Sequence, residues 1–256
     1  ETYRENPLVV GYFVDNEMSW VGIPRGALAS PAEQPARKAF IEDLQAKYGS
    51  IEALNTAWES DAADWDTLEI PGGQNQACKE DAEAFEYRFA RRYFDIVGDA
   101  MRQHAPDQLY LGCRFALIYC TDAVMRACAE VVDVVSINAY VDRIRPEMYA
   151  ELGKPVIIGE FHFGALDRGM FHTGLQTATD QNDRADKYVQ YVESLVQNPA
   201  FVGAHWFQYK DQPNTGRALD GENYNIGLVD ITDTPYPELT AAARDAQIVA
   251  LAVHVL

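Results

Sequence analysis

Two glutamates stand where an apolar run gives way to polar chain. Residues 8–14 form a strand-length apolar run ending in Asp15, Asn16 and Glu17, and residues 155–159 form another ending in Glu160. Glutamate is depleted in strands, and a carboxylate at the end of a buried run is partly desolvated, so each placement needs a reason. Paired carboxylates serve glycosidic-bond hydrolysis: one acid protonates the leaving oxygen and the other attacks the anomeric carbon. Other runs also end in polar side chains. Arg114 ends the run from residue 109, Asn138 and Tyr140 that from 131, His162 lies past Glu160, and Trp206 and Gln208 close the run from 201.

Plainer readings stand beside these. Asp15 can simply cap a turn, Arg114 can neutralise charge, Trp206 can be core, and His162 and His172 can be solvated on a loop. Trp20, Tyr119, Phe163, Tyr209 and Tyr224 read as packing or as platforms for the apolar faces of sugars. Glu222 is a third loop carboxylate, read as binding or solvated rather than catalytic.

The elements that must position these residues alternate. Strands are expected at 8–14, 109–115, 131–138, 155–160 and 201–207, each a short apolar run. Between and after them, helical spacing predicts helices at 30–48, 50–58, 79–104, 122–130, 145–152, 180–197 and about 237–253. Ser30 is the expected N-cap of the first, with Pro31 at its first position and Glu33 closing a capping box. Ser50 is expected to cap the second. Strand–helix alternation with near-continuous apolar strands predicts parallel βα units covered on both faces. In a parallel barrel, chemistry sits where strands end and loops begin.

Composition removes several classes. The chain has 256 residues, 48% hydrophobic and 23% charged, which excludes a disordered or collagen-like protein. No apolar run reaches the roughly 18 residues of a membrane span. A net charge of −18 with scattered Lys and Arg argues against nucleic-acid partners. It would repel strongly anionic polymers. Cys78, Cys113, Cys120 and Cys128 contain no C-x-x-C pair, so zinc is not expected; Cys120 and Cys128 read either as free thiols or as a cross-link. Residue 1 opens no signal-like segment, so a leader has been removed or the chain starts inside a longer product.

The motifs themselves resemble clan A glycoside hydrolases. Gly11-Tyr12-Phe13-Val14-Asp15-Asn16-Glu17 is similar to the motif ending barrel strand four, Ile157-Ile158-Gly159-Glu160-Phe161 to strand seven, and His205-Trp206-Phe207-Gln208-Tyr209 with Asp211-Gln212-Pro213 to strand eight. Thr215-Gly216-Arg217, Gly221-Glu222-Asn223-Tyr224, Gly227-Leu228-Val229-Asp230 and Asp233-Thr234-Pro235-Tyr236 resemble agarases of family 50, with family 42 β-galactosidases next. The resemblance covers nearly the whole chain. It implies a retaining mechanism with Glu17 as acid/base and Glu160 as nucleophile. Asn16 would bond the sugar 2-hydroxyl, and Trp206 would be the floor under the sugar. Tyr140 or Asn138 would hold the nucleophile or substrate. Arg114 would bond a carboxylate, with Glu160 a candidate, and keep it ionised. His162, Gln208 and Glu222 complete the expected substrate-binding set. No cofactor or metal is needed, and the expected partner is a galactan substrate met outside the cell or in the periplasm.

Because strand four falls at residues 15–17, the expected fold is α/β: a partial (β/α)8 TIM barrel of about five units in one catalytic-type domain, 1–256, lacking the first three strands. Its open side would leave apolar edges, which favours a homo-oligomer that covers them. A half-barrel that binds carbohydrate without turnover, or a β-galactosidase acting on smaller oligosaccharides, is the alternative.

Overall fold

The computed structural model describes residues 3–73, 75–145, 147 and 149–255. The chain has an α/β fold with parallel strands and divides into two compact units. The first takes the chain up to Val14, Met18–Gly112 and Ile118–Asp133. The second takes Asp15–Glu17, Cys113–Leu117 and the chain from Val134 onward.

In the first unit β1 (Gly11–Tyr12) pairs in parallel with β2 (Leu109–Tyr110). A Cβ at residue 11 would lie 2.4 Å from the Leu109 carbonyl oxygen, so the pairing needs glycine there. Between these strands lie α1 (Ile23–Ala29), α2 (Pro35–Tyr48), α3 (Ile51–Trp58) and α4 (Gln76–His104); α5 (Asp122–Ala129) follows β2 and packs on α4. Phe40, Leu44, Leu54, Trp58 and Phe85 form their core, with the Phe40 and Phe85 rings stacked 4.3 Å apart.

The helix expected at 30–48 begins only at Pro35, as α2, and a separate helix, α1, precedes Ser30. Ser30 does not cap α2; it ends α1, its N–H donating to Ala27 O and its hydroxyl to Gly26 O. The Ser30 hydroxyl points back toward Gly26, and Pro35, which needs no N–H partner, opens α2 instead. Ser50 does cap α3, accepting from Ala53 N–H. Asn75 accepts from Cys78 N–H and starts α4 three residues before the expected 79. A 3-10 turn at Ala150–Leu152 stands in the span expected to be helical from 145; Pro146 and Met148 lie outside the described residues.

The second unit is built on a four-stranded parallel sheet in sequence order: β3 (Phe115–Ala116), β4 (Val135–Asn138), β5 (Val156–Phe161) and β6 (Phe201–Trp206). The strand expected at 109–115 is broken into β2 and β3, because Gly112 and Arg114 both take positive φ (74° and 52°). α6 (Gln181–Val196) covers the sheet, with Tyr191 stacked on Phe161 at 4.2 Å and its hydroxyl donating to Ala139 O. It packs against α7 (Pro237–Val255). Among the described residues no helix is long and apolar enough to cross a membrane, and no group of three metal-ligating side chains converges. All four cysteines are thiols, so Cys120 and Cys128 are not cross-linked.

The helical core of the first unit closes on one carboxylate. Buried Asp81 accepts from Lys47 Nζ (2.6 Å), the Tyr48 hydroxyl (2.6 Å) and Trp58 Nε1 (2.8 Å). Asp81→Ala strands the Trp58 and Tyr48 donors, and unsatisfied donors cost about 1–3 kcal/mol each when buried. Urea unfolding should show a loss of about 2–4 kcal/mol; a loss within error of zero would mean water replaces the carboxylate.

Candidate active site

The carboxylates meet in a single hydrogen-bonded network. Asn138, the last residue of β4, is the register partner of Glu160 in β5. Its Nδ2 donates to Glu17 Oε1 at 2.9 Å and to Asn16 Oδ1 at 3.4 Å. Arg114 Nε donates to Asn16 Oδ1 at 2.8 Å, and Arg114 Nη2 donates to Glu160 Oε1. The Tyr140 hydroxyl donates to Glu160 Oε2 at 2.5 Å. Asn16, Glu17, Arg114, Asn138, Tyr140 and Glu160, all expected from sequence, are thus brought together.

Local backbone geometry makes this possible. Asp15 and Glu17 both adopt left-handed φ (66° and 52°) on either side of Asn16, a conformation that non-glycine residues hold only when their surroundings impose it. Glu17 N–H donates to Arg114 O, and Arg114 N–H donates to Ser136 Oγ at 2.8 Å. Ser136 carried no sequence signal beyond standing in an apolar strand. Gly159 has no side chain to spare: a Cβ there would lie 2.5 Å from Asn138 Oδ1 and 3.4 Å from Arg114 Cγ.

The two carboxylates have unlike surroundings. Glu160 is buried at 8% exposure between its two donors, while Glu17 is exposed. Burial, reinforced by the Glu160 carboxylate, pushes the Tyr140 phenol far above its usual range, so it remains a donor.

The remaining expected residues have partners of their own. His162 is buried rather than solvated, its ring 4.7 Å from that of Tyr140 and its Nε2 accepting from Leu175 N–H at 2.8 Å. Trp206 does not form the expected floor: as the register partner of Phe161 it packs with that ring and Tyr188 against α6, on the sheet face opposite Glu160, and its Nε1 donates to Ile226 O at 2.8 Å. Gln208 Nε2 turns to Lys210 O. Glu222 belongs to a loop cluster, accepting from buried Gln212 at 2.7 Å and pairing with Arg217 at 3.0 Å. His172 accepts from Gly174 N–H and stacks on Tyr224. Trp20 and Phe163 are buried core and so are not exposed platforms, while Tyr119 and Tyr209 are exposed. Arg184 and Asn225 carried no expectation, and Asp211 stood only within the strand-eight motif; all three are buried. Arg184 was detectable: with Tyr188, Tyr191 and Leu195 it keeps the helical spacing of the buried stripe.

The glycoside hydrolase family 42 model, described as beta-galactosidase, matches residues 1–180. The chain belongs to this family, within clan A of the glycoside hydrolases. It is 43% identical over 263 residues to beta-agarase B of Vibrio sp. (strain JT0107), covering 95% of this chain and 27% of that protein. It is 44% identical to beta-agarase A of the same strain, over 93% of this chain and 26% of that protein. The solved structure of an exo-beta-agarase superposes with a TM-score of 0.90 at 42% identity, covering 95% of this chain and 35% of that one. The chain therefore spans about a quarter of the length of the curated agarases it matches.

In this family member, burial holds the His162 imidazole down to about 3, against 6.5 in the open chain. The unfolded state then binds the extra proton. The stabilising contribution is complete above about pH 6.5 and is lost as pH falls toward 3, at up to about 1.4 kcal/mol per pH unit. Urea unfolding of the wild type should therefore weaken in acid more steeply than that of His162→Phe. Parallel pH dependences would remove His162 as the source.

Proposed function

We propose that the chain carries the catalytic pair of a retaining glycoside hydrolase that cleaves β-galactosidic bonds in agarose-like galactans. The observation that carries this is the shared network: Arg114 and Asn138 join the Asn16–Glu17 strand end to that of Glu160. Glu160 is the nucleophile and Glu17 the acid/base. Glu160 attacks the anomeric carbon while Glu17 gives its proton to the departing glycosidic oxygen. Glu17 then takes a proton from water as that water's oxygen displaces Glu160. Arg114 and Tyr140 hold the attacking carboxylate in place, and Asn138 orients Glu17. Asn16 also bonds the sugar 2-hydroxyl. His162, Gln208 and Glu222 line the substrate's surroundings. The steps as written use side chains and water only.

On this reading the single catalytic-type domain 1–256 is the later part of a (β/α)8 barrel, strands four to eight, with β2 and β3 as two pieces of strand five. Val202 on β6 and Ile248, Val249 and Leu251 on α7 are exposed apolar residues that support a covered face, and a second copy of the chain is the proposed cover. A monodisperse monomer in solution scattering would overturn that assembly. The proposed setting is secreted or periplasmic, where polymeric galactan is met.

Glu160→Ala should abolish hydrolysis of agaro-oligosaccharides, and Glu17→Ala should lower kcat about a hundred- to ten-thousandfold. Proton NMR of the first-formed sugar should show the β configuration. Full activity in Glu160→Ala, or an α product, would refute the assignment. The exposed Tyr209 ring supports one other reading, a carbohydrate-binding unit without turnover, since apolar sugar faces pack on such rings. Calorimetry that found sugar affinity and no product would select it.

A further inference from the structure

Tyr140 carries the hydroxyl that holds Glu160, yet it stands two residues past Asn138, where β4 ends. Beyond a strand's last residue the ladder no longer fixes the chain, so a phenol placed there needs other anchors to direct a carboxylate.

The anchors come from the chain that follows β5. Residues 172–178 return as a strap alongside Gly164, just past that strand's end: Gly164 N–H donates to Gln176 O at 2.9 Å, and Ala178 N–H to Gly164 O at 2.8 Å. At the strap's start Asn225 N–H donates to His172 O at 2.8 Å. The approach is so close that a Cβ at residue 164 would lie 2.0 Å from Thr173 O and 2.4 Å from Asn225 O.

Two side chains carry this hold to Tyr140. Gln176 Nε2 donates to Tyr140 O at 2.7 Å. The neighbouring Leu175 N–H donates to Nε2 of His162, whose ring lies 4.7 Å from that of Tyr140. Gly174 turns the strap left-handed beside that imidazole, with a φ of 78°, and a Cβ there would lie 2.4 Å from Nε2. Burial keeps the His162 ring neutral, so Nε2 remains an acceptor. The backbone and the ring of Tyr140 are thus both held from one strap, and none of these bonds reaches Glu17 or Glu160 directly.

We infer that Gln176 is a positioning residue: from the strap it fixes the Tyr140 backbone, and so the direction of the hydroxyl that holds Glu160. The inference rests on the reading of Glu160 as the nucleophile. Gln176 acts through Tyr140, so its loss is felt in the chemical step rather than in the affinity for sugar.

Gln176→Met keeps the length of the side chain and removes its donor. In kinetics of the full chain on agaro-oligosaccharides it should lower kcat about three- to tenfold and leave KM within about twofold, the range that one neutral hydrogen bond supplies. Tyr140→Phe removes the hydroxyl itself, and in that background Gln176→Met should cost less than about twofold more. A crystal structure of Gln176→Met should show the Tyr140 hydroxyl out of hydrogen-bond reach of Glu160. If Gln176→Met does not fold, Gln176→Asn, whose amide is one methylene shorter, is read by the same measurements. An unchanged kcat, a rise in KM at constant kcat, an equal fall in both backgrounds, or a hydroxyl left on Glu160 would each overturn the inference. A wild type that cleaves no galactan refutes the proposed function instead, and the hydroxyl position in the variant still decides the role of Gln176.

Discussion

One guanidinium holds the strand ends together. Arg114 donates from Nε to Asn16 and from Nη2 to Glu160, and the planar fork leaves little freedom in the separation of the two groups it bonds. Its demands spread outward. The backbone at residue 114 must turn left-handed to aim the side chain, and Ser136 takes up the N–H that this turn releases. Residue 159 must lack a side chain because the Arg114 stem and the Asn138 carboxamide fill the space a Cβ would occupy. The chain around Arg114 forms only the short strands β2 and β3 for the same reason: a left-handed residue cannot continue a ladder.

Around that cation the carboxylates are treated differently. Both Glu160 oxygens receive donors in a buried setting, whereas Glu17 is exposed and bonded at one oxygen by Asn138. Two carboxylates in unlike environments are what an acid-plus-nucleophile mechanism needs, and the proposed roles follow that contrast.

Much of this was legible in the sequence because it rests on local pattern. Apolar runs located the strands around Gly11, Val135, Val156 and Phe201, and a polar residue ending an apolar run marked Glu17, Arg114, Asn138 and Glu160. What escaped depends on partners distant in the chain. Ser30 looks like a cap, yet its hydroxyl turns back to Gly26, and nothing local distinguishes the two directions. The break at Gly112 and Arg114 is imposed by what Arg114 must reach, 98 residues away at Asn16 and 46 at Glu160. The buried set of Arg184, Asp211 and Asn225 is spread over loops and a helix, and burial of an arginine is visible only once those segments fold together.

The pairing of β1 with β2 sets an order of events for the first unit. Gly11 and Leu109 are partners across a stretch of about a hundred residues, and closing so long a loop for two residues per strand returns few contacts for the entropy lost. The intervening helices have local contacts and their own buried hub at Asp81. They can therefore collapse first and shorten the effective loop, leaving the strand pairing to form late and to open early. Backbone amides at Leu109 and Leu111, which donate to Val10 and Tyr12, should accordingly exchange with solvent sooner than those in the middle of α4.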